Sequence, residues 1–436
     1  MKQRTSGVTK TLGRHKNRPR RLRGKKFHLF LRSHQADDYW PLYSELLKEG
    51  AIPQFIEIQR SRPDDDANAA FLANKGIPLF STTWEEPQEF SASMVQENYN
   101  GFDIEGITKF ARWRWRRGGA KMDYIILART NWILHRYEKF FKENRPDYIV
   151  TWGDMAHDSA AIKALADKLK IPHLLFEGGF LPNSMCLDGG GMYYTPESDW
   201  NGIWENQSEP TADERIRIKK LMDQWRQKDM SKYNNKTAFT EIETGVDCRA
   251  LAPKGKKIML IVCQTTGDAT MYFPRVLVDN KLSLTNLVLR TMAGMTDWHI
   301  LVKPHPHERH DDLALMVNPY EGIDIIPKAS PHSALRAADM VITINSTMGF
   351  EALGYGIPVI TFGDNFYTGK GLTWDIRRAD RRLKEQLRTA IDQAKPPDMN
   401  EVYSLFNLVA YKFLFLFGYN NGRLIDAAKS ARQHCR

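Results

Sequence analysis

The chain has 436 residues, 42% hydrophobic and 26% charged, which is enough apolar material for two soluble domains of ordinary size. Its four cysteines, Cys186, Cys248, Cys263 and Cys435, stand far apart with no C-x-x-C pair, which argues against a zinc knuckle or a disulfide framework and fits a reducing compartment. The net charge of +10 belongs to one end: Lys2 to Lys26 hold eleven Lys/Arg and no Asp/Glu, and the remainder balances at 51 basic against 52 acidic residues, so the body has no nucleic-acid signature.

Residues 1–26 are expected to form a disordered basic tail, too poor in apolar residues to fold alone, whose charge suits an anionic membrane surface. The apolar run Phe27 to Leu31 is too short for a signal-peptide core, and no stretch approaches the roughly 18 apolar residues of a membrane span. The expected location is cytoplasmic, with the tail suited to a membrane surface. Short aliphatic runs then alternate with helical stretches, the pattern of parallel α/β architecture. Residues 27–198 read as an N-terminal Rossmann-like acceptor domain, with strands at 27–32, 53–58, 148–152 and 173–176 and helices at 39–48, 130–143 and 159–169. Residues 199–255 are polar and charged and read as a linker containing one helix, 211–226. Strands at 257–263, 299–303, 323–326, 340–344 and 359–362 define a C-terminal Rossmann-like nucleotide-binding domain, 256–385. Residues 386–436 read as helices packing back on the N-terminal domain, with the aromatic run Tyr411 to Tyr419 as a buried helix. The fold class expected is α/β and GT-B-like: two Rossmann-like domains with an interdomain cleft, preceded by the tail.

The densest chemistry lies between Met340 and Thr373. An apolar strand delivers Asn345-Ser346-Thr347 at its carboxyl end, and a helix begins there and runs through Glu351. Ligands of open α/β sheets sit at the carboxyl ends of strands, and helix N-termini offer free N–H groups to anions. Ser346 and Thr347 are thus placed to hold a nucleotide phosphate, with Asn345 beside them and Glu351 toward ribose hydroxyls. Simple capping would account for Ser346 and Glu351. It does not account for the accompanying Gly349, Gly356 and the loop from Gly363 to Gly371. A second strand ends in Lys303-Pro304-His305-Pro306-His307, where Lys303 and His305 suit the charge of a departing phosphate. Metal ligation by His305, His307 and His310 finds no carboxylate at zinc-motif spacing, and no metal is expected. Gln264 and Asp268, just beyond the first strand of the second domain, form a polar loop facing base or sugar. In the first domain Glu177 closes a strand before Gly178-Gly179 and leads to Asp188-Gly189-Gly190-Gly191, while Asp154 and His157 follow the 148–152 strand toward the same cleft.

With these residues in view, the chain resembles the bacterial capsule polysaccharide synthesis family, whose characterised members are retaining β-Kdo transferases using CMP-Kdo. The likeness runs from about Pro146 to Thr373. Lys303-Pro304-His305-Pro306 resembles the family's HP motif, Ser346 and Thr347 its phosphate-binding serine/threonine motif, and Gln264 and Asp268 its nucleotide loop. The resemblance implies a nucleotide-sugar donor, CMP-linked, with no other cofactor, and a lipid-linked or glycan acceptor among other capsule-assembly proteins. Family members commonly carry two adjacent acids before the first glycine, the second being catalytic. Here Glu177 keeps the first and Gly178 replaces the second, leaving Glu177, Asp188 or Asp154 as the catalytic carboxylate with His305 at the leaving group. A CDP-alditol phosphotransferase of teichoic-acid type, a UDP-sugar 2-epimerase and a non-catalytic capsule scaffold are the alternatives.

Overall fold

Aliphatic runs such as Lys257–Val262 (KIMLIV) and Met340–Thr343 (MVIT) are covered on both faces, so they become the central strands of parallel sheets rather than alternating, half-wet strands. A computed structural model describes residues 21–32, 35–57, 67–81, 98–153, 155–192, 200–230, 246–272, 275–306, 310–417 and 422–435. Most of the basic tail therefore lies outside the described residues. Structure begins ahead of Phe27, because Leu22 is buried and Lys25 pairs with Asp147 at 2.7 Å.

The first half runs β1 (Lys26–Leu31), α1 (Ala36–Lys48), β2 (Ile52–Glu57), α2 (Ala67–Ala73), β3 (Leu79–Ser81), a small pair β4 (Asn98–Tyr99) and β5 (Phe102–Asp103), α3 (Ile104–Arg114), α4 (Gly119–Glu143), β6 (Tyr148–Trp152), α5 (His157–Lys168), β7 (His173–Gly178) and β8 (Ser184–Asp188). Its sheet has the order β15-β8-β7-β6-β1-β2-β3, in which β15 (Leu414–Leu416) comes from the far end of the chain. Strands β3, β2, β1, β6 and β7 are parallel, so the strand order reverses between β1 and β6.

The second half contains α6 (Trp200–Glu205), α7 (Ala212–Gln227), β9 (Lys257–Val262), α8 (Lys281–Met292), β10 (Trp298–Lys303), α9 (Asp311–Val317), β11 (Ile323–Ile325), α10 (Pro331–Ala337), β12 (Met340–Thr343), α11 (Thr347–Gly354), β13 (Val359–Thr361), β14 (Trp374–Asp375), α12 (Leu383–Gln393), α13 (Met399–Asn407), β15 (Leu414–Leu416) and α14 (Arg423–His434). Its sheet, β11-β10-β9-β12-β13-β14, is parallel throughout and reverses between β9 and β12. Two doubly wound Rossmann-like sheets in succession make a GT-B-like α/β fold. Among the described residues no helix is long and apolar enough to cross a membrane.

Two segments differ from their expected form. The stretch expected to link the domains supplies α6 and α7, and Trp200, Ile218, Met222, Trp225 and Cys248 are buried in a core shared with Phe180, Leu260, Phe350 and Phe413. Over residues 212–227 the polar composition reflects one wet face of α7, opened by a Thr211–Glu214 capping box, while residues 231–245 lie outside the described residues. Of the aromatic run Tyr411 to Tyr419, residues 413–416 are buried, Lys412 and Phe417 are exposed and residues 418–419 lie outside the described residues; the described part is not one helix. Leu408–Phe413 is a helical turn, and Leu414–Leu416 then pairs antiparallel with β8. The unpaired edge of β8 recruits the run as a strand, overriding its helical spacing.

Candidate active site

Ser346 is the N-cap of α11, its Oγ accepting from the Met348 N–H at 3.3 Å, and Thr347 opens the helix half-buried beside it. Both follow β12 at the switch point of the second sheet, beside the carboxyl ends of β9 and β12, and within the turn the Gly349 N–H donates to the Ser346 carbonyl at 2.9 Å. The Ser346 carbonyl accepts from the Tyr367 hydroxyl at 2.7 Å. A side chain at Gly349 would come within 2.5 Å of that hydroxyl, so Gly349 serves the packing of Tyr367, not the approach of a ligand.

Asn345 and Gln264 occupy the same switch point but are turned inward. Asn345 is fully buried; its N–H donates to Gln264 Oε1 at 2.8 Å, and Gln264 Nε2 returns a bond to Asn345 Oδ1 at 2.7 Å. Asn345 Nδ2 also donates to the carbonyls of Thr270 at 2.8 Å and Asp364 at 3.0 Å, and Asn365 Nδ2 donates to the Asn345 carbonyl. Asp268 joins the network: its Oδ1 accepts from the N–H and the hydroxyl of Thr270, both at 2.9 Å. These amides are taken up by protein partners. They hold the ends of β9 and β12 and the 363–371 loop in one shape around Ser346 and Thr347.

His305 is half-buried at the carboxyl end of β10, as its motif suggests, with His307 outside the described residues. Lys303 is not a cleft residue. It is 3% exposed and donates to the Pro327 carbonyl at 2.8 Å, because it is the last residue of β10 and points into the body of the domain. Burial lowers its pKa to about 8. Between that value and the ordinary lysine value the unfolded chain binds more protons, so stability rises with pH through this window, by on the order of 3 kcal/mol. Lys303→Met is expected to leave stability at pH 7 equal or higher, to remove that alkaline rise, and to keep nucleotide binding. Thermal unfolding and nucleotide titration across pH 7–10 check this, and lost binding would restore Lys303 as a phosphate ligand.

Glu351 lies one turn into α11 and lines a recess with Leu181, Trp225, Arg226, His332 and Tyr355. The His332 Nε2–H donates to the Met230 carbonyl at 2.6 Å, so Nδ1 accepts from the Tyr355 hydroxyl at 2.7 Å. Burial lowers the His332 pKa and pushes Tyr355 up to about 12, so both are neutral near pH 7. Nothing in the spacing of the sequence pairs these two.

In the first half Glu177 sits half-buried near the carboxyl end of β7. Phe180, three residues on, stacks on Phe366 at 4.0 Å, so this strand end abuts the loop that packs on Ser346. A side chain at Gly178 would meet nothing within 4 Å, so the missing second acid leaves open space. Asp188 is elsewhere. β8 is antiparallel to β7 and pairs Asp188 with Leu175, two residues back from Glu177, or about 7 Å along the strand. Its carboxylate accepts from Arg423 at 2.8 Å and from the Gly190 N–H at 2.9 Å, and a side chain at Gly189 would collide with the Ala431 backbone of α14. Asp188 and its glycines are therefore the seat of α14. Asp154 lies outside the described residues.

The switch point of the first sheet carries residues the motifs did not single out. Arg32, directly after β1, donates to Asp158 at 2.6 Å and to Ser159 at 2.8 Å, both at the start of α5. Burial pushes Asp158 up, but Arg32, His157 and the Ser159 N–H outweigh it and hold the carboxylate below its usual range. Burial holds His157 neutral beside it. Arg32 was readable in principle as a cation at a strand's carboxyl end. Its partner, over a hundred residues later, was not.

The model of the family described as capsule polysaccharide biosynthesis protein matches residues 147–403, more than half of the chain. The chain belongs to the capsule polysaccharide biosynthesis family. The matched span starts at β6 and ends in α13, so it takes in the Glu177 strand end, the Gln264–Asn345 network and the Ser346 helix terminus. Among curated relatives of this capsule protein, the lipopolysaccharide-processing protein LpsZ of Rhizobium meliloti is 27% identical over 284 residues, covering 60% of this chain and 61% of LpsZ. The capsule polysaccharide modification protein LipA of Neisseria meningitidis serogroup A is 26% identical over 295 residues, covering 60% of this chain and 40% of LipA. The match thus spans less than two thirds of either relative. Of solved structures, Thermosulfurimonas dismutans KpsC, a beta Kdo 2,4 transferase, matches with a TM-score of 0.41 and 22% identity over 60% of this chain and 79% of that one. A Methanocaldococcus jannaschii UDP-GlcNAc 2-epimerase matches with a TM-score of 0.39 and 15% identity over 88% and 99%.

Proposed function

We propose that this capsule-family chain is a glycosyltransferase that moves a sugar from a nucleotide donor, CMP-Kdo in the first instance, to a lipid-linked or glycan acceptor. The observation that most supports the reading is the half-buried Ser346–Thr347 helix terminus at the β9/β12 switch point, with His305 at the end of β10 and Glu177 at the end of β7 in the other half. In this reading the donor phosphate rests at the Ser346–Thr347 end of α11, where the helix dipole favours an anion. The anomeric C–O bond breaks, its electron pair passes to CMP, and His305 stabilises the charge that develops; one well-placed donor of this kind is typically worth about 2.7–4 kcal/mol. The acceptor hydroxyl forms the new bond to the anomeric carbon. Its proton passes to a carboxylate, for which Glu177 is the candidate. The chain would work from the cytoplasm at the inner face of the membrane, among other capsule-assembly proteins, with the basic tail against anionic lipid.

Offering the purified protein CMP-Kdo, CDP-glycerol and UDP-GlcNAc in parallel tests the donor. Free CMP from CMP-Kdo is the expected product. CMP from CDP-glycerol would instead mark a phosphoalditol transferase, epimerised UDP-sugar without acceptor an isomerase, and no turnover with any donor a scaffold.

A further inference from the structure

Across the end of α3 the sequence reads Lys109-Phe-Ala-Arg-Trp-Arg-Trp-Arg-Arg117, with the helix closing at Arg114, and a two-glycine turn leads to Lys121 at the start of α4. From Lys109 to Lys121 there are six Lys/Arg and no Asp/Glu, a local concentration second to the tail. The whole stretch from Arg114 to Lys121 is exposed, and it carries Trp115, 51% exposed, with Tyr124 a turn later at 39%. The arginines splay around the indoles: Arg114 lies over Trp115 at 5.7 Å and Arg116 over Trp113 at 4.8 Å. Arg112 is paired with Asp123 at 3.5 Å, but Arg114, Arg117 and Lys121 form no ion pair among the described residues. Exposed cations without an ion pair, beside a wet indole, contribute little to folding. They complement a surface that is anionic outside and apolar just beneath.

The position is informative as well. Phe110 and Trp113 pack on Tyr272 at 5.2 and 4.9 Å, and Arg114 lies against Gly267 in the loop held by Gln264 and Asp268. The same α3 walls a groove of about 1000 Å³ with Phe102, Lys163 and Tyr272. The patch therefore stands where the two halves meet.

We propose that the α3–α4 turn, Arg114, Trp115, Arg117 and Lys121, is a docking surface for an anionic lipid bilayer, independent of the tail. Trp115 enters the headgroup layer while the cations meet lipid phosphates, and the docked bilayer presents a lipid-attached acceptor to the groove along α3. Only this last purpose rests on the transferase reading.

The test is co-sedimentation of the full chain with phosphatidylglycerol/phosphatidylcholine vesicles and with pure phosphatidylcholine, without donor. A second variant has the seven Lys/Arg between Lys2 and Arg20 changed to Gln. The triple variant W115S/R117Q/K121Q is expected to lose about tenfold or more in partition to the anionic vesicles, in the native and the tail-neutralised background alike. R117K is expected to retain binding, and all variants are expected to unfold at the native temperature. Donor hydrolysis in vesicle-free solution should be unchanged, so a missing transferase activity would not be confused with missing docking. The proposal is overturned if the triple variant binds like the native chain. It is equally overturned if tail neutralisation alone abolishes binding, or if a single-stranded oligonucleotide binds the patch as tightly as the vesicles without need of Trp115.

Discussion

Asn345→Ala is expected to cost about 3–5 kcal/mol of stability and to lower the unfolding temperature by roughly 10 °C, while collapsing nucleotide binding. The side chain is fully buried and makes three bonds, to Gln264 Nε2, the Thr270 carbonyl and the Asp364 carbonyl. Alanine leaves those groups buried without that partner, at about 1–3 kcal/mol for each unmade bond. The three groups belong to two separate segments, the loop after β9 and the loop after β13, so their release loosens the frame around Ser346 and Thr347. Denaturant unfolding measures the first effect and nucleotide titration the second. Gln264→Ala should act on the same network, so the double variant should cost clearly less than the sum of the two. Additive losses, or a change below about 1 kcal/mol, would mean that the network is incidental.

Glu177→Gln should reduce turnover by about 10²–10⁴-fold with little change in unfolding temperature, as befits a proton acceptor at a half-buried strand end. Asp188→Asn is the instructive comparison. Its carboxylate holds Arg423 of α14 at 2.8 Å, so the variant should lose stability and keep its turnover. CMP release and thermal unfolding on the two proteins give opposite patterns if the assignment is right. If Asp188→Asn, not Glu177→Gln, is the inactive one, the proton acceptor lies on the α14 side. Gly178→Asp adds a check from the other direction. The position is open, so an acid there should fold normally, and raised turnover would identify the gap in the family's acid pair as limiting.

The strand ends that frame the site were legible because their evidence is local. An aliphatic run followed by Asn345-Ser346-Thr347, or by Lys303-Pro304-His305, needs no partner to announce a strand leading into a loop or a helix. By the same logic, alternating runs determined the two Rossmann-like sheets, and the charge of Lys2 to Lys26 determined that the body is nearly neutral. The direction in which a side chain points was not local information. Asn345 and Gln264 are turned inward because each is the other's partner across 81 residues, and Lys303 because it finds the Pro327 carbonyl.

Asp188 followed glycines and resembled a second acid at a ligand, yet the antiparallel return of β8 carried it away from Glu177 and under α14. The pairing of Arg32 with Asp158 likewise exists only once β6 has been inserted beside β1. Composition and periodicity state which surfaces must be buried. Which polar groups then satisfy one another is decided by chain reversals and strand order, since a buried donor takes whatever acceptor the packed fold brings within hydrogen-bond distance.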